Sequence, residues 1–232
     1  QSKGVQDMAS EADLNTELLI KRRLAEAFPE DAFLGEETGR GEFAEGQGIW
    51  VVDPIDGTQP FIVGLTSWCV SIAFVQHGKV QFGMVYAPAR DELFAGGAGH
   101  SATLNGQPIK ASAASAVNQG LIGAGFSPKS GVEVFLPAFE HFLKAGGMFY
   151  RDGSGALGLC YVAAGRLIGF FEPVIKSWDL GAVAVCHAAG IQTNDFLKGD
   201  GLFGGNPIIA GNAAIYAQLR SLVNAAGQYA VD

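Results

Sequence analysis

At 232 residues, 48% of them hydrophobic, the chain can bury a sizeable core and reads as one large domain or two closely packed lobes, not as a disordered or low-complexity protein. Its formal net charge of −8, with no basic stretch longer than Lys21-Arg22-Arg23, argues against a nucleic-acid polymer as partner and means that a phosphorylated substrate would need local metal charge. Cys69, Cys160 and Cys186 sit among apolar residues without CxxC spacing, which favours buried free thiols in a reducing, cytoplasmic setting, and no apolar stretch is long enough to span a membrane.

The chain opens on Gln1 without a methionine or a visible signal peptide, so a native N-terminal segment is expected ahead of it. Residues 13–28 predict a helix whose apolar stripe is Leu14, Leu18, Leu24, Ala25 and Phe28, with Glu17, Lys21 and Arg22 pointing elsewhere; Pro29 stops it. A short strand at Phe33-Leu34 leads into Gly35-Glu36-Glu37-Thr38, and a glycine-rich loop precedes a strand over residues 49–52. Strands at 68–75 and 80–86 are joined by Gln76-His77-Gly78-Lys79, and further strands at 92–95 and 102–104 extend an antiparallel meander closed by Asn105-Gly106. From about residue 118 helices and strands alternate: helices at 132–144, 154–164 and 178–189, strands at 148–150, 167–171 and 207–210, and a last helix capped by Asn212. The 33 glycines are dispersed without a period, which excludes a repeat architecture.

The segment from Trp50 to Thr58 sets an apolar, β-branched run against two acids, a proline, a glycine and a hydroxyl. A carboxylate at the end of a buried strand is costly unless a cation, a hydrogen-bond network or a helix N-terminus meets it. Acids also stand at other structural boundaries, Asp13 at a helix start, Glu36 after a strand and Asp179 at another helix start. With no His or Cys beside them, an all-oxygen donor set of this kind selects a hard cation such as Mg²⁺. Two ions roughly 3.5–4 Å apart would polarise a phosphoryl group and lower the pKa of a water, which is phosphate ester hydrolysis.

Leu34-Gly35-Glu36-Glu37, Asp53-Pro54-Ile55-Asp56-Gly57-Thr58 and Trp178-Asp179, in that order, resemble the signature motifs of the inositol monophosphatase family, and Ser10-Glu11-Ala12-Asp13 and Gly153-Ser154-Gly155-Ala156 extend the likeness over nearly the whole chain. The resemblance implies an α/β (α+β) fold, a layered αβαβα sandwich of the inositol monophosphatase and fructose-1,6-bisphosphatase type. An N-terminal lobe at 1–118 with the antiparallel sheet and an α/β lobe at 119–232 would form one compact unit. It implies two or three Mg²⁺ held by Glu36, Asp53, the Ile55 carbonyl, Asp56 and Asp179. Gly57 and Thr58 would offer backbone N–H groups to the phosphate. Asp13 and the Thr58 hydroxyl, with Glu36, would carry the catalytic work, orienting and deprotonating the attacking water. Gly153, Ser154 and Glu172 would meet the substrate alcohol, and Lys3 matches a lysine near the site in related proteins.

The activity so implied is Mg²⁺-dependent, lithium-sensitive hydrolysis of a small phosphate monoester by a cytoplasmic homodimer, with inositol monophosphate first. Histidinol phosphate, a 3′-phosphoadenosine nucleotide and fructose 1,6-bisphosphate are the alternatives, and a metal-binding regulatory protein on the same scaffold is the reading from another class. His187-Ala188-Ala189-Gly190 departs from the family's Glu-Ala-Gly-Gly, and the initial helix usual in the family is absent before Gln1. Taken one at a time, the acids also have plainer readings. Asp53 and Asp56 fit an Asp-Pro turn, Asp13 an N-cap, Asp179 a helix start, and Glu172 a solvated loop before Pro173.

Overall fold

The computed structural model describes residues 2–4, 7–8, 11–41, 43–44, 46–127, 130–227 and 231, with side chains from Glu11 onward, so Ser10 and the Lys3 side chain lie outside it. In chain order the elements are β1 (Ser2–Gly4), β2 (Asp7–Met8), α1 (Glu11–Ala27), β3 (Ala32–Gly35), β4 (Gly39–Arg40), β5 (Ile49–Asp56), α2 (Thr58–Ile62), β6 (Cys69–Gln76), β7 (Lys79–Ala87), β8 (Glu92–Gly97), β9 (His100–Leu104) and β10 (Gln107–Pro108). They continue as β11 (Leu121–Ala124), α3 (Val132–Lys144), β12 (Met148–Tyr150), α4 (Gly155–Ala163), β13 (Gly169–Ile175), α5 (Leu180–Ala188), β14 (Gln192–Thr193), α6 (Gly201–Gly204), β15 (Asn206–Gly211) and α7 (Ala213–Ala225).

Eight strands form a mostly antiparallel sheet in the order β10-β9-β8-β7-β6-β5-β3-β4, and five form a mixed sheet in the order β12-β11-β13-β15-β14. α1 packs on β5, α5 on β6, β7 and β8, α4 on α5 and β13, and α7 with α3 on the small sheet. The order of layers is therefore helix, sheet, helix pair, sheet, helix pair, the layered sandwich that the motif resemblance implies. α4 and α5 are apolar around their whole circumference, with residues 156–163 and 180–186 buried, as helices between two sheets must be. The approach of α5 to β7 depends on glycine, because a Cβ at Gly83 would stand 2.1 Å from the Gly181 carbonyl oxygen. Both hairpin turns that the sequence signals, His77-Gly78 and Asn105-Gly106, have positive φ at both residues, the type I′ geometry that matches strand twist.

Three expectations change. β5 runs on through Asp53-Pro54-Ile55-Asp56 instead of ending at Val52, and its pairing with β6 slips between Asp53 (opposite Ser71) and Asp56 (opposite Cys69). Three steps on one strand against two on the other make a bulge, which is where a proline is tolerated in a sheet. β13 extends to Ile175, so Glu172 is a strand residue paired with Ile208 and half-buried, not a loop acid. α1 turns its expected apolar stripe outward: Leu14, Leu18 and Phe28 are 44%, 47% and 46% exposed, Ala25 is exposed and Leu24 half-buried, while Asp13 and Glu17 are fully buried. The acids go inward because polar partners await them there, the Thr58 hydroxyl for Asp13 and the N–H groups of Glu37 and Thr38 for Glu17. α1 begins at Glu11, so Asp13 lies in its first turn and is not its N-cap.

Candidate active site

β5 delivers the central carboxyls. On a regular strand residues three apart face opposite sides, and the bulge between Asp53 and Asp56 lets both reach one cleft. Asp53 is buried, and its Oδ1 accepts the Ile55 N–H at 2.9 Å. Asp56 Oδ2 accepts from the Ser154 hydroxyl and from the Ala156 N–H at 2.8 Å, with Cys69 Sγ at 3.8 Å. Glu36 enters from the end of β3, whose parallel register with β5 sets Gly35 beside Val52; its own N–H bonds the Val52 carbonyl. Asp179 closes the 3-10 turn Ser177–Asp179 at the head of α5, and Glu172 comes from β13.

These groups line one cleft of about 380 Å³ together with Ser154, Gly153, Gly155, Arg151, Asp152, Trp178 and Lys176. Burial pushes the carboxyls of Asp53 and Asp179 well above the ordinary range. Each is raised further by its neighbours' charge, Asp53 by Glu36, Asp56 and Asp179, and Asp179 by Asp56, Glu172 and Glu36. Burial also raises Asp56, against the bonds from Ser154 and Ala156. Glu172 is raised to about 8 by burial and by the Asp56 charge, with Arg151 opposing.

A divalent cation fits this group. Every donor is oxygen, the set is buried and mutually repulsive, and Asp179 Oδ1 is buried without a hydrogen-bond partner, a costly arrangement that a cation would relieve. Among the described residues no three His, Cys, Asp or Glu side chains already close around a single point, so the carboxyls are neighbours but not a finished cage.

The turn after β5 carries the remaining candidates. Gly57 adopts φ +92°, and a Cβ there would stand 2.7 Å from the Ser67 carbonyl oxygen, so the turn requires glycine. The Thr58 hydroxyl, first residue of α2, lies 3.2 Å from Asp13 Oδ1 and 3.1 Å from the Ile55 carbonyl. Gly153 packs against Pro60, and Ser154 caps α4 by accepting the Leu157 N–H at 3.2 Å while donating to Asp56. A wider groove of about 970 Å³ continues from Glu36, Asp56, Gly57 and Thr58 over Phe126, Phe135, Phe139 and Phe149.

Glu36, Asp53, Asp56, Gly153, Ser154, Glu172 and Asp179 thus line the cleft, Gly57 and Thr58 line the groove that continues it, and Asp13 and the Ile55 carbonyl meet the Thr58 hydroxyl; the Lys3 side chain lies outside the described residues. The sequence does not single out Arg151 or Glu17. Arg151 supplies positive charge on the cleft wall beside Lys176, which the sequence offers equally as a group supporting the site and as plain surface. Glu17 was expected to point away, yet its carboxylate accepts the Glu37 N–H at 2.8 Å and the Thr38 N–H at 2.7 Å. Its spacing from Asp13, one helical turn, was the available signal.

A sequence profile of the inositol monophosphatase family matches residues 1–228. The chain is 36% identical over 230 residues to the "Putative Nus factor SuhB" of Neisseria meningitidis serogroup B, covering 97% of this chain and 87% of that protein. It is 34% identical over 226 residues to the "Inositol-1-monophosphatase" of Rhizobium meliloti, covering 95% and 84%. The crystal structure of the extragenic suppressor protein suhB from Bartonella henselae superposes with a TM-score of 0.88 at 33% identity, covering 96% of this chain and 87% of that one.

Proposed function

Because this chain belongs to the inositol monophosphatase family, we propose that it is a Mg²⁺-dependent phosphatase acting on a small phosphate monoester, inositol monophosphate first. The observation that carries the reading is the cleft in which Glu36, Asp56 and Asp179 together raise the buried Asp53 carboxyl while Asp179 Oδ1 is buried without a hydrogen-bond partner. Glu36, Asp53, the Ile55 carbonyl, Asp56 and Asp179 would hold two or three ions. Mg²⁺, when bound, supplies the charge that polarises the phosphoryl group and acidifies a water.

The chain's own groups account for the rest of the chemistry. The Thr58 hydroxyl accepts a proton of the attacking water on its oxygen while its own proton points to Asp13 Oδ1, so the pair orients the water and carries the proton away. Glu36 fixes the water's side of the cleft. The N–H groups of Gly57 and Thr58 hold the phosphate, and Arg151 adds a charge that balances it. Gly153, Ser154 and Glu172 meet the alcohol; the Ser154 hydroxyl is turned toward Asp56, so its first effect is to hold that carboxylate. Water is the attacking group, and no phosphoenzyme forms.

Release of inorganic phosphate with and without Mg²⁺, across inositol monophosphate, histidinol phosphate, a 3′-phosphoadenosine nucleotide and fructose 1,6-bisphosphate, tests the reading. Turnover that needs Mg²⁺ and falls with Li⁺ supports it. Absence of turnover on the whole panel favours the second reading, a regulatory protein on the same scaffold. The printed name of the Neisseria relative supports that reading, as does an exposed apolar face at Val132, Leu136 and Phe149. That face also supports the homodimer, and the three buried free cysteines support a reducing, cytoplasmic setting.

A further inference from the structure

Glu17 is a fully buried glutamate on α1 that the mechanism does not use. Its carboxylate takes two backbone donors, Oε2 from Glu37 N–H at 2.8 Å and Oε1 from Thr38 N–H at 2.7 Å. Gly35 lies against it from the other side, where a Cβ would stand 2.4 Å from the Glu17 Cδ and Oε1. Glu36 is therefore gripped on both flanks by one side chain, while its own N–H is tied to Val52 of β5. One helical turn earlier, on the same buried face of α1, Asp13 meets Thr58. A single rigid helix thus sets the spacing between the turn that carries Glu36 and the turn that carries Thr58.

We propose that Glu17 is a positioning residue for Glu36: by clamping the N–H groups of Glu37 and Thr38 it aims the Glu36 carboxyl into the cleft. The inference rests on the reading of Glu36 as a metal ligand and adds a residue that touches neither metal nor substrate. A glutamate side chain offers two acceptor oxygens, one for each N–H, which suits the task. Glu17→Gln keeps the shape but offers one acceptor and sets an NH₂ group against the other N–H, which loosens the turn without emptying the space.

The test is calorimetric titration with Mg²⁺ alone of the wild-type chain, Glu17→Gln and Gly35→Ala, with hydrogen exchange at the amides of Glu37 and Thr38 and thermal unfolding in parallel. Gly35→Ala strikes the same contact from the opposite side, since its Cβ displaces the Glu17 carboxylate. Both variants are expected to bind Mg²⁺ about tenfold more weakly or worse, as loss of a group that orients a metal ligand does. Faster exchange at both amides is expected with it. A fall in melting temperature with wild-type Mg²⁺ affinity shows a merely structural role and overturns the proposal, as does unchanged amide exchange in Glu17→Gln. If the wild-type chain takes up no Mg²⁺, the metal reading itself fails; wild-type binding with unchanged variants sinks only the assignment to Glu17.

Discussion

Thr58 Oγ1 and Asp13 Oδ1 lie 3.2 Å apart across 45 residues of sequence, one at the head of α2 and the other on the buried face of α1. Asp13 is fully buried and Thr58 half-buried, so the contact is sheltered from bulk water. The same hydroxyl lies 3.1 Å from the Ile55 carbonyl, and in the proposed mechanism it would offer its oxygen to the attacking water and its proton to Asp13.

Thr58→Ala removes the hydroxyl and leaves the backbone N–H groups in place. At saturating substrate and Mg²⁺, kcat is expected to fall by about 10²-fold or more, the scale of a positioned proton acceptor, with a much smaller change in KM. Steady-state kinetics check it. A change confined to KM contradicts the water-activating role.

Asp53→Asn is expected to abolish Mg²⁺-dependent turnover and, in the metal-free protein at pH 8, to raise the melting temperature. The carboxyl stands buried among Glu36, Asp56 and Asp179, so its charge costs stability until a cation offsets it. Retained turnover, or a melting temperature below the wild-type value in chelator, counts against the assigned ligand set.

Metal-free protein should lose stability as pH rises. Asp53, Asp56, Glu172 and Asp179 all have folded pKa values raised above their ordinary ones, Glu172 from 4.5 to about 8. The folded state therefore holds more protons than the unfolded state between those values. Its advantage is complete only below pH 3.8, the ordinary value of the three aspartates, and is lost progressively as pH climbs through 4.5 toward 8. Saturating Mg²⁺ should restore stability most at the alkaline end, because the ion requires the carboxylates deprotonated. Unfolding midpoints from pH 5 to 8, with chelator and with Mg²⁺, decide it; a metal-free midpoint that rises with pH refutes it.

Glu172→Gln is expected to shift the relative kcat/KM among phosphorylated alcohols while leaving phosphate release itself intact. The side chain reaches the cleft from β13, where its carboxyl stands against Gly125 and Gly155. The same substrate panel run on both proteins measures the shift. An unchanged order of preference removes Glu172 from substrate recognition.

Ser154→Ala should cost about 1 kcal/mol as a lost N-cap of α4 and should also weaken Mg²⁺ binding, since the hydroxyl donates to Asp56. Denaturant unfolding reads the first effect and Mg²⁺ calorimetry the second. A stability loss with wild-type Mg²⁺ affinity leaves Ser154 a cap and nothing more.

Local chemistry settled much of this chain from the sequence alone. The α3 helix at 132–144, the strand at 148–150, the Asn212 cap and the two glycine turns depend on nearby residues, and they fall where periodicity and turn preference put them. The motifs that carry Glu36, Asp53, Asp56 and Asp179 likewise announced the family, because they stand in one order along nearly the whole chain. Tertiary structure alone decided which face of α1 turns inward. Helical periodicity measures hydrophobicity, and it favoured Leu14 and Leu18, whereas Asp13 and Glu17 are drawn in by a hydroxyl and two N–H groups that come from distant turns. The bulge that turns Asp53 and Asp56 into one cleft is also a matter of pairing between strands. Register is a relation between two segments, and neither segment carries it by itself.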